Sequence, residues 1–219
     1  MRKLFIHAGT PKTGTSTFQR FLSHNLDVLE ARGLCVPRFG IDSEHAHHPL
    51  ASSLFANELN NSDQGLADQF WDMMERGGDF DILISSETIA TLLLETDAKR
   101  IRMNRLIEKA NRLGIEVVPI VVVRDPLDYH ESAYSQLAKN FMATTSFEDY
   151  LFEKTWNPTY ITSQVMVPLE LNPAHNIVIP LNAETKRNGV ERRLMAAMGV
   201  DWDGLEPIER VNEGAGICQ

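Results

Sequence analysis

The chain has 219 residues, 43% of them hydrophobic, and its 30 acidic against 21 basic side chains leave a formal net charge of −9. This charge excludes proteins that hold nucleic acid or anionic lipid through an overall positive field, so any anion must be bound locally. No apolar run reaches about 18 residues, and the first one, Leu4 to Ile6, is too short for a signal peptide, so we expect no membrane insertion. Two cysteines are too few for a disulfide framework, and we expect reduced thiols and a cytoplasmic protein.

Short apolar runs alternate with segments of helical spacing along the chain. They predict strands at residues 3–7, 80–85, 116–123 and 176–180, and helices at 17–22, at 65–74, from 126 onward and at 190–198. We expect Pro119 at a bulge or near the start of its strand, because proline cannot donate to a sheet ladder. Gly199 is expected to end the last helix.

This alternation predicts an α/β fold in three layers, with a mostly parallel central sheet and helices on both faces. Ligands of such folds bind at the carboxyl ends of the strands. Residues 40–78 are less regular apart from their one helix, and the tail after Val200 is mostly irregular. Because the sequence shows no repeat, low-complexity tract or linker, residues 1–219 are predicted to form a single domain.

The segment between the first strand and the first helix is typical of a phosphate-binding loop. Gly9 and Gly14 let backbone N–H groups turn inward, and the helix N-terminus adds partial positive charge. The spacing only partly matches the nucleoside-triphosphate loop, because Thr15 stands where that motif requires lysine and the lysine is Lys12. Four hydroxyl residues could donate to phosphate oxygens and cap the helix: Thr13, Thr15, Ser16 and Thr17. The alternative is a Gly/Pro turn followed by a Ser/Thr cap.

A second motif begins where the third predicted strand ends, at Arg124. Asp125 suits the cap of the next helix and Pro126 its first position. Helical spacing allows Ser132 to point the same way as Arg124, and a guanidinium with a hydroxyl makes a good phosphate clamp. The alternative is that Arg124 only pairs with neighbouring aspartates.

The two motifs resemble those of sulfotransferases that use 3′-phosphoadenosine 5′-phosphosulfate (PAPS). The run Pro11-Lys12-Thr13-Gly14-Thr15-Ser16 is similar to that family's 5′-phosphosulfate loop. An arginine that closes a strand, an adjacent proline and a serine eight positions after the arginine are similar to its 3′-phosphate signature. The resemblance implies a P-loop type of nucleotide-binding fold and PAPS as co-substrate, with these binding residues: Pro11, Lys12, Thr13, Gly14, Thr15, Ser16, Thr17, Arg124 and Ser132.

The resemblance also implies what the reaction is. Lys12 would assist departure of the sulfuryl group, and the acceptor would be a hydroxyl. The short chain is most similar to bacterial carbohydrate sulfotransferases, which implies a sugar or glycan acceptor. The basic Arg-Lys-Gly loop of the long cytosolic enzymes is missing, and Arg210 is the candidate for a reduced version of it.

Sulfuryl transfer to a hydroxyl needs a proton acceptor. Glu87 is the leading candidate, since it lies just past the second predicted strand, on the rim where both motifs are expected. The alternative is that Glu87 only complements the dipole of a helix that starts near it. His48, in a cluster with His45 and His47, is the other candidate. No further ligand completes a convincing zinc site with these histidines, and we expect no metal.

Two other functions remain open. One is a P-loop nucleotide or small-molecule kinase, which the missing Gly-Lys-Ser/Thr end of the loop disfavours. The other is a non-catalytic relative that binds an adenine nucleotide or a partner without turnover.

Overall fold

The computed structural model describes residues 1–9, 12–55, 64–89, 97–155, 166, 169–170 and 172–208. The strands within these ranges are β1 Arg2–His7, β2 Leu34–Cys35, β3 Asp81–Ser85, β4 Ile115–Val123 and β5 Ile177–Pro180. The helices are α1 Thr15–His24, α2 Leu26–Ala31, α3 His48–Phe55, α4 Gln64–Arg76, α5 Asp97–Arg112, α6 Pro126–Lys139, α7 Phe147–Thr155, α8 Ala183–Asn188 and α9 Val190–Met198.

The five strands form one parallel sheet in the order β2-β3-β1-β4-β5. From β1 the chain passes to the edge strand β2, returns to β3 beside β1, and then crosses to β4 and β5 on the other side of β1. The strand order reverses at β1, and this is where α/β sheets open a crevice for ligands at the carboxyl ends of their strands.

Two cores lie on opposite faces of the sheet, because successive strand side chains point to opposite sides. Leu4 and Ile6 of β1 face a core completed by α3, α4 and α5. Phe5 faces the other core, which α1, α2 and α9 complete. This arrangement confirms the predicted α/β class with three layers.

The predicted position of Pro119 within its strand is wrong. It lies in the middle of β4, opposite Ile6, at neither a bulge nor the strand start. Ile120 bonds toward β1, since its carbonyl accepts from the Ala8 amide at 3.1 Å, so the Pro119 backbone faces the β5 side. The ladder to β5 begins only at the pair of Ile120 and Ile177, so the missing N–H leaves no ladder bond unmade.

The predicted start of α6 and the predicted end of α9 are confirmed. Asp125 caps α6, its carboxylate accepting from the amides of Leu127 and Asp128 at 2.9 and 3.2 Å. Gly199 ends α9 in the left-handed conformation, with φ 78°. Six of the described elements were not predicted individually: the short strand β2 and the helices α2, α3, α5, α7 and α8. Within the described ranges, no helix is both long and apolar enough to cross a membrane.

The aromatic pair of Phe21, on α1, and Trp202 gives a test of the core that Phe5 faces. Phe21 is fully buried and stacks on Trp202 at 5.1 Å, so Phe21→Ala should cost about 3–5 kcal/mol of unfolding free energy. Phe152→Ala is the matched control, because Phe152 is 68% exposed and should change stability by less than about 0.5 kcal/mol. Urea unfolding measures both, and equal losses would contradict the assigned core.

Candidate functional site

The loop after β1 leads into α1 through backbone that few residues adopt. Gly14 has φ 86° and immediately precedes the helix, and Lys12 has φ 65°, a left-handed value that is uncommon outside glycine. A side chain at Gly9 would collide with the Thr15 methyl group. These positions keep the loop tight against the start of α1.

The loop hydroxyls do not cap the helix. Gly14 is the N-cap and no side chain bonds there, so the predicted Ser/Thr cap is wrong. Thr13, Thr15 and Thr17 are buried and Ser16 is half-buried. Because glycine has no side chain to cap the helix, the N-terminal N–H groups of α1 stay open, and an open N-terminus suits an anion better than a capped one does. Thr10, Pro11 and Arg210 lie outside the described residues.

Lys12 connects this loop to α6. Its ammonium donates to Gln136 Oε1 at 3.3 Å, and its backbone carbonyl accepts from Arg124 Nη1 at 2.9 Å. Gln136 was not singled out from the sequence, although its place four residues after Ser132 puts both on one face of the helix. The lysine-bearing and arginine-bearing segments thus lie in contact at one edge of the sheet.

Arg124 is the residue that joins the two segments. Its side chain is 17% exposed, and its Nε lies 3.9 Å from Asp128 Oδ2, too far for a hydrogen bond. This Nε is buried and has no hydrogen-bond partner among the described residues. The alternative of a simple Arg–Asp pair therefore holds only at long range. Ser132 is half-buried on α6, and its hydroxyl has no partner in the part of the chain that the structure describes.

Glu87 lies against the same loop. It follows β3, the neighbour of β1, and its Oε1 accepts a hydrogen bond from the Thr15 hydroxyl. Burial raises the pKa of Glu87, the Lys12 ammonium opposes this shift, and the Glu44 carboxylate adds to it. A carboxylate whose pKa is raised by burial is suited to accept a proton near neutral pH.

The histidines near this edge have separate surroundings. His48 Nδ1 lies 2.7 Å from Ser86 Oγ, so His48 contacts the residue that precedes Glu87. His47 is buried, with Nε2 2.9 Å from the Pro37 carbonyl, and burial lowers its pKa. His45 is exposed. His7, at the end of β1, is fully buried beside Ser85, and burial lowers its pKa to about 4, so it is neutral.

A cavity opens beside Arg124, at the carboxyl ends of β4 and β5. Its volume is about 450 Å³, within the usual size range of small-molecule sites. Its lining comprises Val123, Arg124, Asp125, Asp128, Pro180, Leu181, Asn182, Ala183 and Lys186. Lys186 donates to Asp128 Oδ2 at 3.0 Å, a contact that the sequence did not reveal because the two residues lie on different helices. Among the described residues, no group of three His, Cys, Asp or Glu side chains could hold a metal ion.

The fold is similar to that of a solved sulfotransferase from Alicyclobacillus acidocaldarius, with a TM-score of 0.56 and 18% sequence identity. The match covers 97% of this chain and 87% of that one. No family model matches the sequence, and no curated protein matches it significantly. The likeness shows that this chain has a sulfotransferase-type fold, as the resemblance of the two motifs predicted.

The raised pKa of Glu87 predicts a pH-dependent gain in stability on its neutralisation. In the folded state the ionised carboxylate is disfavoured by burial, so stability falls as pH rises from the ordinary carboxyl range through the raised pKa. Glu87→Gln should therefore raise the unfolding temperature at pH 7. The gain should vanish near pH 4, where wild-type Glu87 is protonated as well.

Calorimetric unfolding at both pH values measures this difference. Glu131→Gln is the control, because Glu131 is exposed on α6. A Glu87→Gln protein that is less stable than wild type at pH 7 would show that the carboxylate is a net stabilising group.

Proposed function

We propose that the chain is a PAPS-dependent sulfotransferase that moves a sulfuryl group to a hydroxyl of a sugar or glycan. The observation that carries this proposal is the hydrogen bond from Arg124 Nη1 to the Lys12 carbonyl, 2.9 Å long. It brings together the two motifs that the sequence resemblance assigns to the 3′-phosphate and the 5′-phosphosulfate of one donor. The sulfotransferase-type fold supports the same reaction class.

The donor's 5′-phosphosulfate would lie on the loop between β1 and α1. The open N-terminus of α1 and the loop amides favour its negative charge. Lys12, released from Gln136, would neutralise the charge that develops on the leaving phosphate. Since a sulfuryl group carries less charge than a terminal phosphate, we expect these groups to suffice without a metal ion.

The transfer itself is an in-line displacement. The acceptor oxygen forms a bond to sulfur while the bond between sulfur and the 5′-phosphate oxygen breaks, which releases adenosine 3′,5′-bisphosphate. The acceptor proton passes to Glu87, whose raised pKa makes it a better base than an exposed carboxylate. His48 is the second candidate, on the same edge of the sheet through its contact with Ser86.

A kinase is less well supported by the same geometry. Thr15 occupies the position of the kinase lysine, and its hydroxyl is bonded to Glu87. The loop's lysine, Lys12, therefore does not stand at the position from which a P-loop kinase contacts the β- and γ-phosphates.

Nucleotide preference tests the donor assignment. Wild-type protein should bind adenosine 3′,5′-bisphosphate more tightly than ATP with magnesium, and Arg124→Ala should weaken bisphosphate binding by about 2–4 kcal/mol through loss of charge-assisted contacts. Titration calorimetry measures both. Arg105→Ala, an exposed arginine on α5, is the control. A preference for ATP with magnesium would replace the sulfotransferase proposal with the kinase.

Turnover tests the base. Glu87→Gln should lower transfer of labelled sulfate from PAPS to mixed glycans by about 10²- to 10⁴-fold, with bisphosphate affinity kept, because only the proton acceptor is removed. His48→Gln should cost much less. The reverse order of losses would make His48 the base, and wild-type protein that binds the bisphosphate without any transfer would favour the non-catalytic reading.

A further inference from the structure

Asp128 lies between two cations at the mouth of the cavity. Its Oδ2 is 3.0 Å from Lys186 Nζ and 3.9 Å from Arg124 Nε. Lys186 belongs to α8 and Arg124 to the end of β4, so the carboxylate bridges the two sides of the cavity. The hydrogen bond from Lys186 lowers the pKa of Asp128, and Asp128 is therefore ionised at neutral pH.

This carboxylate leaves the cations incompletely satisfied. It bonds Lys186 but does not reach Arg124 Nε, which is buried without a hydrogen-bond partner among the described residues. One negative charge faces two positive ones. A phosphate monoester has nearly two charges and three acceptor oxygens, so it matches such a pair of donors better than one carboxylate does.

The surrounding groups allow such an exchange. Lys186 is 40% exposed and Asp128 is 44% exposed, so both side chains can move, whereas Arg124 is only 17% exposed and stays fixed. The Ser132 hydroxyl, one turn beyond Asp128 on α6, is a further donor with no partner among the described residues.

We propose that Asp128 is an internal substitute for the donor's 3′-phosphate, and that Lys186 leaves Asp128 to bind that phosphate together with Arg124. This inference rests on the proposed function and adds a specificity residue to it. Lys186 then distinguishes nucleotides with a 3′-phosphate from those without one. Until the donor binds, Asp128 competes with other anions for Lys186 and Arg124.

Binding of two nucleotides to Lys186 variants tests the proposal. Lys186→Met should weaken adenosine 3′,5′-bisphosphate by about tenfold in titration calorimetry and leave adenosine 5′-monophosphate unchanged. Lys186→Arg should keep the preference because the positive charge is retained, and unchanged monophosphate binding by Lys186→Met excludes a folding defect as the cause. Lys109→Met is the matched control. Lys109 lies on α5, is 41% exposed, much like Lys186, and also pairs with a carboxylate, that of Glu75, at 3.1 Å. An unchanged ratio of the two affinities in Lys186→Met would overturn the inference.

The sign of the Asp128 effect separates a substitute anion from a positioning residue. Asp128→Asn should bind the bisphosphate severalfold more tightly, because a competing negative charge is gone, with the monophosphate again unchanged. Weaker bisphosphate binding would mean that Asp128 orients Arg124, and the inference would be wrong. If wild-type protein itself showed no preference for the bisphosphate, the proposed function would fail first, which the wild-type titration reveals before any variant is made.

Discussion

The donation from Arg124 to the Lys12 carbonyl is the contact on which the rest of the site depends. It joins residues 112 positions apart in the chain, and it can form only because β1 and β4 are neighbours in the sheet. It also holds Lys12 in a left-handed backbone conformation that few residues adopt without support. Removing the guanidinium therefore affects both segments, and the two ends of the site form one unit.

Two buried polar groups of the site are in surroundings that do not stabilise them. Glu87 is a carboxylate whose ionised form is disfavoured by burial, and Arg124 keeps a buried nitrogen without a hydrogen-bond partner in the described chain. Such groups lower the stability of the fold and are retained where charge has to change or a ligand has to bind. The apolar cores on both faces of the sheet are what allow the edge to carry them.

Local patterns sufficed for much of this structure, whereas contacts between distant segments did not follow from them. An apolar run of neighbouring residues predicts the strand β4, and an acidic residue directly before a proline predicts the helix cap at Asp125. By contrast, Lys186 meets Asp128 only through the pairing of β5 with β4, and no local pattern encodes which strands pair. The helix α3 is only eight residues long, too short for a clear helical period. Pro119 was misplaced because its tolerance depends on where β5 begins.

The buried imidazole of His7 opposes folding in acid. Its pKa is about 4 in the folded chain, against 6.5 when exposed, so unfolding takes up a proton between these values and the contribution of His7 to stability declines as the solution becomes more acidic. His7 lies directly under Gly9, on the central strand from which the loop departs. Below about pH 6 this histidine therefore works against the folded state, whereas the buried carboxylate of Glu87 works against it as the pH rises, so the two groups disfavour the fold at opposite ends of the pH scale.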